Sequence, residues 1–263
     1  GTPTELLSGG AEGFTLSYPV NKDKTPVLMP SELRYKIAIQ SSFQEAFLDQ
    51  VSTSVEGRFR VKVYRYVASA WVFWWAGVVI PDITTIQDLD YNFTAEICAV
   101  DGISHLSKID YSDDGDPYEG TVRIIEVAAN ILKKLPHVVD FWTGSTDFIR
   151  TIVDYYSENM AYTAATCPLY EAKINQRAFF ILGANGVKKY KDCAEILNNI
   201  AQMFNLQIFL HNGFWVFQQL DVRGDISFFS RKYAYTIASP TAAPDMYGKE
   251  IGRASCRERV SSP

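Results

Sequence analysis

The sequence predicts an α+β fold of mainly antiparallel β structure, barrel-like or sandwiched, with two main packing helices. Three observations carry that expectation. Apolar and polar residues alternate in several short runs, and an Asn-Gly pair lies between two such runs. The third is composition: aromatic residues make up 14% of the chain, with 15 Tyr and 16 Phe. Alternation at period two marks a strand with one buried face. Aromatic excess suits half-buried pleated surfaces and large contact areas.

The first strand is read at 33–40 (LRYKIAIQ), where Leu33, Tyr35, Ile37 and Ile39 alternate with Arg34, Lys36 and Ala38. Phe59, Val61 and Val63 alternate with Arg58, Arg60 and Lys62 in the same way. A short link through Ala68, Ser69 and Ala70 leads to a second strand over 71–79, which predicts a hairpin. Phe93, Ala95, Ile97 and Ala99 alternate with Thr94, Glu96 and Cys98. Successive strands this close favour an antiparallel sheet or barrel. At Asp101–Gly102 the pattern breaks, and the Asp101 carboxylate is placed to cap a short helical turn through Ile103, Leu106 and Ile109. After an acidic loop at Asp113, Asp114, Gly115 and Asp116, residues 118–135 are expected to form a helix. Val122, Ile125, Ala129 and Leu132 form its apolar stripe, Lys133 and Lys134 favour its C-terminal end, and Pro136 stops it.

Residues 137–171 carry no clear period, and 147–156 is read as a strand. A strand at 178–182 and a turn at 183–186 precede a helix over 190–204, with Cys193, Ile196, Leu197, Ile200 and Phe204 at helical spacing. The runs 206–211 and 214–220 flank Asn212–Gly213, the pair best suited to a two-residue turn with positive φ at both positions, and so predict a β-hairpin.

A net charge of −5 argues against a nucleic-acid groove, and no apolar run reaches the roughly 20 residues of a membrane-spanning helix. No catalytic, cofactor-binding or metal-ligating residues are assigned. The loop 113–116 with Glu119 is oxygen-rich enough to suggest calcium but lacks the spaced acidic pattern of a dedicated loop, so a solvated loop is the favoured reading. His105, His137 and His211 stand far apart in sequence, and neither a nucleophile elbow nor a phosphate-cradling loop is present. Cys98, Cys167, Cys193 and Cys256 show no paired spacing, which suits a reduced protein assembled in the cytoplasm.

Trp71, Trp74 and Trp75 are the strongest binding candidates. On a regular strand Trp71 and Trp75 share one face and Trp74 takes the other. The favoured expectation buries Trp71 and Trp75 and leaves Trp74 at a subunit or domain contact. Two alternatives compete with it. A carbohydrate-binding or adhesion module would present these indoles exposed and coplanar. A glycan hydrolase would hold two carboxylates about 5 to 10 Å apart in a cleft.

Residues 75–82 (WAGVVIPD) lead to an alternating strand that closes on 99–103 (AVDGI) and Leu106. This resembles the N-terminal region of tail proteins from phages and prophages of Bacteroidetes-type bacteria, in which a W-x-G-x-(I/V)-x-P-D strand precedes an A-x-D-G-(I/L)-x-x-L turn. A second block, 192–217, resembles the helix, strand, NG-turn and W-strand unit of tail hub proteins, ending in Asn212, Gly213, Phe214 and Trp215. Together the two blocks cover about a third of the chain. The resemblance implies a structural hub at the tail tip or baseplate, present in the virion. Its partners would be other tail proteins and copies of itself in a ring, with no sequence-specific nucleic acid and no membrane. It implies architectural roles only: Asp101 and Gly102 shape a turn, and Trp75 and Trp215 pack.

Residues 250–260 (EIGRASCRERV) resemble the translation of a short-read sequencing adapter, and the chain opens on Gly1. The organisation expected is therefore an N-terminal β domain at 1–112, a truncated helix-plus-β domain at 113–249, and an artefactual tail at 250–263. Without the three arginines and two glutamates of that tail, 22 basic and 28 acidic residues remain, a net of −6.

Overall fold

Leu33, Ile37 and Ile39 are buried where Arg34 and Lys36 are exposed, so the period-two pattern of the sequence becomes one dry and one wet face of a strand. The computed structural model describes residues 13–18, 27–81, 93–144, 146–153, 167–183, 185–220, 230–237 and 241–242. The fold is α+β and mainly antiparallel.

The first sheet contains β1 (Phe14–Ser17), β2 (Glu32–Ile39), β3 (Arg60–Val67), β4 (Ala70–Val79) and β5 (Phe93–Val100), in the order β1-β2-β5-β4-β3. β2 and β5 pair along their whole length, from Glu32↔Val100 to Ile39↔Phe93. Between β2 and β3 lies a helix the alternation did not announce, α1 (Ser42–Ser52), whose first turn is capped by the Ser41 hydroxyl. Only Leu48 and Val51 of that helix are buried.

After β5, Asp101 and Gly102 lead into a 3-10 turn, Ile103–Lys108. The helix expected over 118–135 is shorter at its start. Gly120 has φ +88°, and β6 (Thr121–Arg123) pairs with β8 (Lys173–Asn175) before α2 (Ile124–Leu132) begins. A strand partner fifty residues away thus takes the residues that local periodicity assigned to helix. The helix is also shorter at its end: α2 stops at Leu132 with Lys133 as its cap, ahead of Pro136, which instead opens α3 (Pro136–Phe141), where its missing N–H and fixed φ suit the first helical position.

The second sheet holds β11 (Leu206–His211), β12 (Phe214–Gln219), β7 (Asp147–Ile152), β13 (Ser230–Ala234) and β14 (Thr241–Ala242), in that order. β12 and β7 run parallel and the other pairs are antiparallel. α4 (Pro168–Glu171) precedes β8. A 3-10 turn at Gln176–Phe179 takes the start of the strand expected at 178–182, leaving β9 (Phe180–Leu182), which pairs with β10 (Lys188–Tyr190). α5 (Cys193–Met203) is capped by Asp192 and buries Cys193, Ile196, Leu197 and Ile200, as its spacing predicts. Asn212 and Gly213 both have positive φ, at 49° and 76°, and close the β11–β12 hairpin.

One cluster of buried residues runs from Leu33 and Trp75 in the first sheet through α2 and α5 to Trp215 and Phe217 in the second. The segment before β2 joins the two sheets at an edge as well. Leu28 bridges Ile208 in parallel, and Met29 N–H donates to the Ile208 carbonyl. Met29 and Tyr18 pack against Phe209 and Val216 on the outer face of the second sheet, and the Tyr18 hydroxyl donates to the Leu210 carbonyl. Among the described residues no helix is long and apolar enough to cross a membrane. The tail at 250–263 lies outside the described residues.

At Gly77 the first sheet is at its tightest: an added Cβ would fall 2.2 Å from the Val100 carbonyl oxygen and 2.4 Å from the Trp75 ring. Backbone cannot give way as a flexible side chain can. Gly77→Ala should therefore destabilise the protein by about 2–3 kcal/mol. The loss would be read as a lower urea midpoint at unchanged slope; an unshifted midpoint would refute so close an approach.

Candidate functional site

The residues singled out in the sequence fall into two places, a buried junction and an exposed arm. At the junction, the Trp75 indole N–H donates to Ser31 Oγ at 2.9 Å. The Ser31 hydroxyl and backbone N–H both donate to Asp101 Oδ2, at 2.6 and 2.7 Å, and Ile103 N–H donates to Oδ1 at 3.0 Å. Trp75 and Asp101 are both fully buried. Asp101 thus reaches the start of the 3-10 turn as expected, and it also ties that turn to the entry of β2 and to the middle of β4. Gly102 follows with φ +78°, its α-carbon side facing Leu135 and His137 at the α2–α3 corner. A side chain there would be strained by the backbone and crowded by both neighbours.

Burial pushes the Asp101 carboxyl up to about 6 from its ordinary value of 3.8, against the pull of its three donors. Burial lowers His137 to about 3, with Arg60 and His105 adding to the effect, and lowers His211 to about 4, with Arg65 and Arg150 adding. His105 pairs with Glu56 at 3.1 Å. Cys98, Cys167 and Cys193 are free and buried.

In the acidic loop, Asp113 and Asp116 exchange two backbone hydrogen bonds across Asp114 and Gly115. Asp116 pairs with Lys188, and the Tyr190 hydroxyl donates to the Gly115 carbonyl. Among the described residues no three His, Cys, Asp or Glu side chains gather as a metal site.

The arm is made by β3 and β4. β4 pairs with β5 only at Val78 and Val79, so the rest of the β3–β4 hairpin extends past the sheet as a two-stranded ribbon. Ala68 and Ser69, with φ of 49° and 65°, form its tip. The register slips within the ribbon: Val63 faces Trp75, whereas the next residue, Tyr64, faces Phe73. Trp74 is the extra residue of this bulge, which breaks the period-two relation between Trp71 and Trp75. The expectation that those two share a buried face is therefore corrected. Trp75 is fully buried, while Trp71 is 70% exposed.

Trp74 is half-buried, with its ring 5.6 Å from Phe14. Its carbonyl accepts from Gly213 N–H, and the Trp142 indole donates to the Gly213 carbonyl. A Cβ on Gly213 would lie 2.8 Å from both the backbone and the ring of Phe73, so the glycine of the NG turn also permits this docking. Trp215, in the next strand, is buried in the common core.

Beyond the bulge the ribbon is wet on both faces, and Tyr64, Tyr66, Trp71 and Val72 are all exposed. Tyr66 and Trp71 lie 5.1 Å apart with their planes tilted by 58°. Lys62 sits over the rings of Tyr64, Phe73 and Phe141. Residues 58–81 contain Arg58, Arg60, Lys62 and Arg65 and no acidic residue, although the chain as a whole is acidic. Arg60 pairs with Asp140. Sequence reading flagged the tryptophans but missed Tyr64, Tyr66 and Arg65; the absence of any Asp or Glu between 58 and 81 was the signal that could have found the arm.

Fold and site together define an α+β protein with a rigid polar junction and a projecting aromatic, basic ribbon. Comparison with models of known protein families finds no match to this chain, and comparison with curated proteins finds none either.

Two outcomes follow from this geometry. Trp71→Ala should leave stability within about 0.5 kcal/mol of wild type, whereas Trp75→Ala should cost about 3–5 kcal/mol. Similar urea midpoints for the two variants would contradict the placement of the bulge. For Asp101 the folded state holds its proton to higher pH than the unfolded state. Its contribution is complete below about pH 4 and is lost as pH rises through about 6. The loss amounts to roughly 3 kcal/mol. Urea unfolding across that window should show Asp101→Asn with a flatter decline than wild type, and equal slopes would refute the assignment.

Proposed function

We propose that this chain is a structural docking element of a phage tail tip or baseplate hub, and that it works by holding protein partners rather than by catalysis. The observation that carries this reading is the β3–β4 arm, where tyrosines and a tryptophan stand exposed beside arginine and lysine on a ribbon anchored by a buried junction. Interface hot spots are enriched in these same residue types, because rigid amphipathic rings and forked cations give large contact at small entropic cost. Support also comes from the titratable groups of the interior. Asp101 accepts three hydrogen bonds that brace the fold, and His137 and His211 are held neutral by burial. Those are scaffold roles. The partners are other tail proteins and copies of the same chain, and the place of work is the virion.

The carbohydrate-binding alternative retains one exposed indole, Trp71, whose neighbour Tyr66 is tilted away from a shared plane. It calls for a glycan array as its own test.

Antibody labelling of purified phage particles, viewed by electron microscopy, should place the protein at the tail tip. Its absence from purified particles would overturn the tail-hub reading.

A further inference from the structure

We propose that the outer edge of β3 takes up an extended segment of a different protein as an added strand, and that this segment alternates carboxylate and apolar side chains. The inference rests on the docking reading above and deepens it, naming the mode of contact and the chemistry of the partner.

The register of the arm carries it. β3 is the outermost strand of its sheet, and among the described residues no strand pairs with its far edge. Such an edge keeps a row of unpaired N–H and C=O groups, the template on which an extended peptide adds as a further strand. Because the extra residue of the bulge lies on β4, β3 keeps its own alternation throughout. Lys62, Tyr64 and Tyr66 therefore stand on one face, where Phe73 and Trp71 join the two tyrosines from the opposite strand. Val63, Arg65 and Val67 stand on the other face.

An added strand alternates in the same way and meets both faces at once. Beside Tyr64 and Tyr66 it needs apolar side chains, since aromatic and β-branched residues pair favourably across strands. Beside Arg65 it needs a carboxylate. Of the three cations of β3, Arg60 is engaged by Asp140 and Lys62 lies over the rings, which leaves Arg65 to meet a partner. Arg65 is exposed and makes no ion pair among the described residues, and residues 58–81 contain no acid that could serve it. The positive field reaches the neighbouring sheet, where Arg65 and Arg150 both oppose protonation of His211.

The test is fluorescence anisotropy of the full chain with a labelled octapeptide of alternating Glu and Val, the length of β3, at about 50 mM salt. The expected result is saturable binding at least about tenfold tighter than that of the matching Lys-Val peptide. Arg65→Glu should reverse this preference while leaving the circular dichroism spectrum unchanged, because the side chain is exposed. Backbone N-methylation separates strand addition from contact through side chains alone. Successive residues of a strand point their N–H groups to opposite edges. Methyls on one alternate set of the peptide should abolish binding, and methyls on the other set should leave it within about threefold.

A peptide that tolerates methyls on both sets or on neither would overturn the proposal, as would equal binding of the Glu-Val and Lys-Val peptides. Self-association of the chain, or capture of an oligonucleotide, that depends on Arg65 while the Glu-Val peptide fails to bind would also overturn it. Tail-tip labelling without peptide binding would remove strand addition and keep the hub. Peptide binding of the expected pattern without tail-tip labelling would keep strand addition and remove the hub.

Discussion

A carboxylate sealed from water with no cation beside it is costly unless its oxygens are fully engaged. Asp101 meets that constraint with three donors: two from Ser31 and one from Ile103. Ser31 in turn accepts from the Trp75 indole. One chain of hydrogen bonds therefore pins three segments that are distant in sequence: the entry to β2, the middle of β4, and the exit of β5 with the 3-10 turn that follows it. Each member of such a network is held by the others, which gives it a rigidity that apolar packing alone does not. The arm needs this anchor, because a two-stranded ribbon has little stability of its own in water.

Immediately beyond the anchored Trp75, the bulge at Trp74 re-aims the strand. Bulges bend a strand and increase its twist. Here the bulge puts Trp71 and Trp75 out of step, and the ribbon beyond it, past the end of β5, leaves its rings exposed on both faces. The turn of the second sheet meets the bulge, since Gly213 N–H donates to the Trp74 carbonyl and Trp142 donates to the Gly213 carbonyl. The Asn-Gly pair is thus needed twice, for positive φ in its own hairpin and for the absence of a Cβ where Phe73 approaches. Buried rings of both sheets, Trp75 and Trp215 among them, then share one core.

Much of the fold was legible because its signals were local. Alternation at 33–39 and 93–99, the NG turn and the stripe of α5 each depend on residues within a few positions of one another. The misses were of other kinds. α1 buries only Leu48 and Val51 and leaves Phe43 exposed, so its stripe was too thin to register; the Ser41 cap with Gln44 three residues on was the available sign. Residues 121–123 went to a strand because Lys173–Asn175 pairs with them, a partner no local period reveals. The bulge is hardest of all to foresee, since one extra residue leaves composition and hydropathy unchanged while reversing the faces. At the candidate site the tryptophans were visible, but their division into one buried, one half-buried and one exposed was not. The tail-hub reading came from resemblance, and its present support is the chemistry of the arm.

An exposed sheet edge is ordinarily a hazard, because any other edge can pair with it. Cations along β3 change the balance of possible partners. Two such arms approaching edge to edge would bring Lys62 and Arg65 of one copy against the same residues of the other, with no carboxylate on either strand to offset them. Like charges in register disfavour that pairing at short range. An acidic surface experiences the opposite force. By electrostatics alone, cations along β3 disfavour symmetric arm-to-arm pairing and favour a surface of opposite charge. The aromatic rings then supply the contact energy that long-range attraction alone cannot, which is why the cations and the exposed rings belong on one ribbon.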